Sequence, residues 1–414
     1  MPIRHFKKAI KTGGKIVGSD AGYIARGGAW LFATQVVTAL VSFGSALLFA
    51  RLTDAETYGM YKYAIAASAV VASFSLTGLS TAIVQSVARG YEGLYKNAFR
   101  MSMRFSVPIV LISICAIAYY LFNNNITLAM VWAVIGITTP LATSSSFYVS
   151  YLNGTKRYGG VFAAQAIRSI VPTGAVVALL LFQAPVWMLV LAFLGGVALT
   201  NMSLHTMVSW WLPPNNTIDR VSLNYAKHLS IMGILSGFST RFDSLLIFHF
   251  LGATPLAIYS FATAIPDQII GLSKHVSTLA LPKFSTHGKE VVQKTFFKKV
   301  ILMGITGGIF AGLYILITPY IFTFLFPAYM ESVPLSQLFA INIALAFAGA
   351  LYGTYFDAQT EARIKYFLIT FNNVIRITLM LILTVPFGLV GIMLGEIFSR
   401  CISLIVMSIV VRRQ

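Results

Sequence analysis

The chain has 414 residues, of which 57% are hydrophobic and only 10% charged, against roughly 25% charged in a soluble globular protein. No soluble fold of this length hides so much apolar side chain without large adhesive patches, which excludes an ordinary cytosolic enzyme or binding domain and makes lipid part of the solvent. A net charge of +18 would point to nucleic acid in a soluble chain, but here it sits mostly between apolar runs, where it meets anionic membrane lipids, and no nucleic-acid partner is expected.

Residues 1–23 form a basic segment with Arg4, Lys7, Lys8, Lys11 and Lys15, expected to lie on the cytoplasmic membrane surface and to be interrupted at Gly13 and Gly14. No cleaved leader is expected, because the first apolar run is too long and lacks a small-residue cleavage site. Twelve apolar stretches follow, at 24–50, 60–87, 101–122, 127–152, 158–182, 185–207, 221–249, 254–282, 295–326, 333–357, 361–383 and 387–410. Each is long enough for the roughly 20 residues a helix needs to cross about 30 Å of hydrocarbon. Their continuity argues against a lipid-facing barrel, whose strands alternate over about ten residues.

Loop charge orients them. With the N-terminus cytoplasmic, 23 of the 30 Lys and Arg residues fall on the inner side, and only Arg51 and Lys62 fall in the outer loops. The positive-inside rule then puts both termini in the cytoplasm, since the number of crossings is even. The clearest break is WWLPPNNTIDR at 210–220, whose prolines and asparagines mark a linker.

The expected fold is thus an all-α polytopic membrane protein of twelve transmembrane helices. An N-terminal six-helix bundle spans 24–212, a cytoplasmic linker 213–220, a C-terminal six-helix bundle 221–410 and a cytoplasmic tail 411–414. Six crossings per half place the bundles in the same orientation, related by a pseudo-two-fold axis along the membrane normal. A weak internal echo agrees: LLFARLTDAETYGMYKYA at 47–64 aligns without gaps with LLIFHFLGATPLAIYSFA at 245–262, and FYVSYLNGTK at 147–156 with LYGTYFDAQT at 351–360.

Cys115 and Cys401 fall inside predicted helices and are expected to be buried apolar fillers. No metal-ligand spacing, P-loop or dinucleotide fingerprint is present, so no metal, cofactor or catalytic residue is assigned. Pro266 followed by Asp267 is expected to free a backbone carbonyl and open a polar gap. Thr138, Thr139, Thr143, Ser144, Ser145, Ser146, Ser150 and Asn153 share one predicted helix, where most such hydroxyls close onto their own backbone or a neighbouring helix.

The charges inside the apolar runs carry the functional expectation. Arg168, Arg241, Lys274, Arg376 and Arg400 are accompanied by Asp243, Asp267 and Glu396, and each costs roughly 2.5–3.5 kcal/mol to insert. Glu396 and Arg400, four apart with the acid first, are expected to form a structural salt bridge. Asp267 and Lys274 lie seven apart on one face, about 10 Å from each other. Arg241 and Asp243 point in different directions. Arg168 and Arg376 occupy matching fifth helices of the two halves.

Arg168, Arg241, Lys274 and Arg376 are therefore expected to line a cationic cavity that binds an anionic passenger, since guanidinium forks suit phosphate or pyrophosphate. Asp243 and Asp267 are the candidates for coupling to a proton or a sodium ion.

The first connection, LFARLTDAETYGMYKYAIA at 48–66 with Glu56, Tyr58, Gly59 and Tyr61, and the stretch FSLTGLSTAIVQSVAR at 74–89 with Gly78 and Leu79, resemble motifs of one family. It is that of the O-antigen and polysaccharide flippases of the multidrug/oligosaccharidyl-lipid/polysaccharide exporter superfamily, and the resemblance covers nearly the whole chain. It implies two bundles around a central cavity, rocking to move an oligosaccharide on undecaprenyl pyrophosphate from the inner to the outer leaflet of the bacterial cytoplasmic membrane, without covalent chemistry. Membrane potential is a further candidate drive, and a polysaccharide polymerase with its chain-length machinery a candidate partner. The competing expectation is a cation-coupled multidrug or small-molecule antiporter of the same superfamily, which would favour an acidic lumen.

Overall fold

In a computed structural model of the chain, residues 21–217, 219–286, 289–359 and 362–413 are described. Residues 1–20 of the basic N-terminal segment lie outside them. Every element among the described residues is helical. Eight helical stretches there, including Gly93–Phe122, Phe296–Leu325 and Ile364–Arg412, are long and apolar enough to cross a membrane, the architecture of a multi-pass membrane protein.

The helices pack as two compact units, one of residues up to Ser45 with Phe74–Ile231, the other of Ala46–Ser73 with Met232–Gln414. Residues 46–73 thus leave the N-terminal half in which the sequence places them. Helix α1 covers Ala21–Leu52 and α2 Ala55–Ala72. Asp54 caps α2 by accepting from the Thr57 amide at 3.2 Å, and hydrogen bonding with Thr57 holds its carboxyl below the ordinary carboxylate range. Because α2 starts at Ala55, Lys62 lies two turns inside a helix and not in a loop.

The stretch at 60–87, expected as one helix, breaks between Ala72 and α3, Leu79–Ala88. The Ser73 hydroxyl donates to the Val70 carbonyl at 2.6 Å, and the Gly78 amide donates to Ser230 Oγ at 3.0 Å, so the break leaves these groups satisfied. Gly78 is required there: a Cβ would stand 2.4 Å from the Ala226 carbonyl oxygen.

The first unit continues through α4 Gly93–Phe105, α5 Val107–Phe122, α6 Ile126–Ser144, α7 Tyr148–Gly154, α8 Tyr158–Leu181, α9 Val186–Val190, a π turn at Leu191–Gly195 and α10 Gly196–Trp211. Its core gathers Leu79, Ile83, Leu94, Tyr95, Tyr148 and Tyr151, with Tyr95 and Tyr151 stacked at 4.3 Å. The hydroxyl-rich stretch is two helices, α6 and α7, and not one. Thr143 Oγ1 bonds the Thr139 carbonyl, Ser145 that of Leu141 and Ser146 that of Thr143, the back-bonding that bends helices. The Pro-Asn linker is anchored: Asn215 exchanges bonds with Glu92 at 3.1 and 2.9 Å, and Lys96 donates to Asn216 at 2.6 Å. Cys115 is exposed and Cys401 half-buried, so neither is the buried filler expected.

Helix α11, Arg220–Phe250, leads from the first unit into the second, followed by α12 Ala253–Thr286, α13 Lys289–Leu325, α14 Ser332–Phe339, α15 Ile341–Gln359 and α16 Ala362–Arg413. The two segments of the first echo pair, 47–64 and 245–262, meet in this unit. Tyr58 stacks on Phe261 at 4.6 Å and Tyr63 on Phe248 at 3.8 Å. Gly59 lies so close to Ala253 that a Cβ would stand 1.9 Å from its carbonyl oxygen.

Pro266 deprives α12 of one amide, freeing the carbonyl of Ala262 four residues earlier. The Ser336 hydroxyl takes that carbonyl at 2.6 Å, and the Tyr314 hydroxyl lies 2.7 Å from Ser336 Oγ, donating in turn. Helix α16 doubles back at Gly388, whose φ of 55° suits glycine. Its limbs correspond to the stretches expected at 361–383 and 387–410, and they bring Asn372 to Ser403 at 2.5 Å.

Candidate functional site

The hairpin of α16 closes around a cavity of about 770 Å³ in the second unit, whose lining includes Arg241 and Asp243 of α11, Tyr259 and Asp267 of α12, and Asn372, Arg376, Glu396, Arg400 and Ser403 of α16. That volume falls in the range of small-ligand sites. Three bases and three acids line it, so the net positive lining expected from sequence is not what these residues supply.

Pairing decides which charges are available. Arg376 Nε donates to Glu396 Oε2 at 2.5 Å and its NH1 to the Ser239 carbonyl at 2.8 Å. Arg400 Nε donates to the other Glu396 oxygen at 2.9 Å. Glu396 is thus held by two guanidinium groups, and the bridge to Arg400 is the one its four-residue spacing predicts. The Arg376 and Glu396 side chains are 18% and 6% exposed, so this triad is a buried structural strut. Arg376 thus lines the cavity as expected, but its guanidinium is held in an ion pair with Glu396 rather than left free. Asp243 is also engaged, accepting from the Tyr259 hydroxyl at 2.7 Å.

Arg241 and Asp267 remain. Both are exposed and line the cavity, and neither has a hydrogen bond or close ion pair among the described residues. Lys62 of α2 lies within electrostatic reach of both and sits over the Tyr58 ring at 5.3 Å. Sequence reasoning missed Lys62 because loop charge alone assigned it outside; the start of α2 after the Asp54 cap is the signal that places it. With Lys62 the bases around this hollow outnumber the acids. Asn342 of α15 is fully enclosed.

Lys274 falls on a side chain outside the described residues. Arg168 lies on α8 in the first unit and does not line this cavity. It is half-buried and acts electrostatically on Tyr148, whose hydroxyl donates to Asn201 at 3.0 Å, while Asn201 donates to the Ala142 carbonyl at 2.9 Å.

Comparison with known proteins bears on both fold and family. The profile of a family described as "Polysaccharide biosynthesis protein" matches residues 48–334, more than half of the chain. In fold the chain is similar to the lipid II flippase MurJ in an inward closed conformation, at 12% identity over 93% of this chain and 87% of that one, with a TM-score of 0.66. It is also similar to an outward-facing multidrug resistance MATE family transporter of the MOP superfamily, at 15% identity over 94% of each chain and a TM-score of 0.61. A MOP superfamily transporter from Pyrococcus furiosus is similar at 13% identity over 96% of this chain and 97% of that one, with a TM-score of 0.54. No curated protein matches by sequence. The chain is thus a multi-pass membrane protein of the polysaccharide biosynthesis protein family, with the fold of MOP superfamily transporters.

Proposed function

We propose that the protein is a flippase that carries an oligosaccharide linked to undecaprenyl pyrophosphate, such as an O-antigen repeat unit, from the inner to the outer leaflet of the bacterial cytoplasmic membrane. Twelve crossings in two six-helix bundles rock between inward-open and outward-open states, with both termini cytoplasmic. No bond is made or broken; the protein substitutes its own donors for the water around a polar head. A polysaccharide polymerase and its chain-length machinery take up the product.

The observation that supports this most is the Arg241 guanidinium, which lines the large cavity and has no hydrogen bond or ion pair among the described residues, with Lys62 in electrostatic reach. A base kept inside the membrane without a protein partner is stabilised by a ligand of opposite charge. Arg168 beside Tyr148, together with Lys274, extends the proposed set of head-group contacts. Replacing Arg241 with Gln removes a charge-assisted contact of about 1.5–3 kcal/mol, so transport falls roughly 10- to 100-fold while thermal stability stays within about 0.5 kcal/mol of wild type. Delivery by reconstituted protein and a melting curve measure the two effects; unchanged transport removes Arg241 from the site. Arg168→Gln likewise lowers transport and leaves membrane insertion intact.

A second reading, a cation-coupled antiporter, is favoured by Asp267, an acid on the same cavity with no ion pair among the described residues. In the flippase reading this carboxylate is the proposed coupling site for a proton or a sodium ion, among Lys62, Arg241, Asp243, Glu396 and Arg400. Asp267→Asn then abolishes the response of transport to a pH or sodium gradient and leaves head-group binding in place. A gradient response that survives the substitution assigns the coupling elsewhere.

A further inference from the structure

A second cavity of about 360 Å³ adjoins the charged one in the same unit. The two share Gly353, Asn372, Ser403 and Met407 in their linings, so they adjoin at a collar formed by α15 and the two limbs of α16. Beyond the collar the lining changes character: Phe356, Leu368, Ile369 and Val406 make it apolar, and Lys365 is its charged member. The bond between Asn372 and Ser403, at 2.5 Å, stands at the boundary and ties the limbs together there. The opening exists because α15 presents Ala346, Gly349, Ala350 and Gly353 to the hollow, and a Cβ at Gly353 would meet no atom within 4 Å.

A charged chamber that adjoins an apolar one matches an amphiphile whose anionic head carries a single apolar chain. At about 30 Å³ for each water-sized group, the smaller cavity holds about a dozen carbon-sized groups, roughly two to three isoprene units. We propose that it receives the first isoprene units of the polyprenyl chain while the pyrophosphate occupies the charged cavity, the rest of the chain continuing into the bilayer. This rests on the flippase reading for the head group and adds a place for the chain. A membrane phospholipid brings two acyl chains on one glycerol and is the less suited occupant of a single arm.

The test uses the full-length protein in detergent with Cys115 and Cys401 replaced by Ser and Ile369→Cys introduced as a reporter in the arm. Maleimide labelling is timed with farnesyl pyrophosphate, farnesol, inorganic pyrophosphate or phosphatidylglycerol present. Farnesyl pyrophosphate and farnesol are expected to slow labelling at least fivefold, pyrophosphate alone to leave it unchanged, and Gly353→Phe in the same background to cancel the protection. Failure of both prenyl compounds to protect, protection that survives Gly353→Phe, or equal protection by phosphatidylglycerol overturns the proposal. Competition by pyrophosphate against farnesyl pyrophosphate, and not against farnesol, reports the head group separately. If farnesol protects and pyrophosphate competes with neither compound, the chain site stands and the head-group reading fails.

Discussion

Replacing Arg376 with Gln is expected to lower the stability of the folded protein by about 3 kcal/mol, the lower end of the 3–5 kcal/mol lost when one partner of a buried ion pair is removed. The reason is Glu396, whose side chain is 6% exposed and whose two oxygens are divided between Arg376 and Arg400. Arg400 remains in the variant and limits the loss, but Glu396 Oε2 loses its donor, and the Ser239 carbonyl also loses its guanidinium donor. Because the strut joins α11 to both limbs of the α16 hairpin, the walls of the charged cavity shift and transport falls with stability. The double variant Arg376→Gln, Glu396→Gln recovers a large part of the stability, since it no longer buries an undercompensated carboxylate. Thermal unfolding of the four proteins of this cycle measures the coupling; additive losses would mean that the pair contributes nothing as a pair. The contrast with Arg241→Gln is sharp, because there transport falls with no change in melting.

Replacing Gly59 with Ala is expected to be among the most damaging additions of a methyl group at the described glycines. The new Cβ would stand 1.9 Å from the Ala253 carbonyl oxygen and 2.5 Å from its carbon, whereas even a favourable carbon-oxygen contact needs about 3.3 Å. The obstruction is backbone, so no side chain can swing aside. Helices α2 and α12 must separate by more than 1 Å, which also loosens the Tyr58–Phe261 stack. Overpacking of this kind costs about 1–3 kcal/mol or more, and it outweighs the roughly 1 kcal/mol that Ala gains over Gly within a helix. Gly353→Ala is the matched control, since its Cβ meets open space, and its melting temperature should stay level or rise. Equal melting temperatures for the two variants would refute the tight seam.

Much of this was legible in the chain, and the failures have physical causes. The Glu396–Arg400 bridge follows from spacing on one helix. The carbonyl freed by Pro266 was readable too, but not Ser336, which takes it from α14. Arg376 read as a free cavity base because its partner Glu396 lies 20 residues away, across a turn that depends on Gly388 adopting a left-handed conformation. Lys62 was misplaced because a local cap, Asp54, starts its helix earlier than hydropathy does. The break after Ala72 carries no proline; it depends on Ser230, 152 positions from Gly78, to satisfy an amide. Local chemistry was readable, and contacts supplied by distant helices were not.

The most direct measurement is outward delivery of an oligosaccharide linked to undecaprenyl pyrophosphate by the purified protein in proteoliposomes, scored by an impermeant lectin at the outer leaflet. The account predicts delivery that depends on the protein and falls at least tenfold in Arg241→Gln, without a matching loss for inserted, folded protein. Delivery equal to that of empty liposomes, together with gradient-driven export of an organic cation by the same preparation, would contradict it.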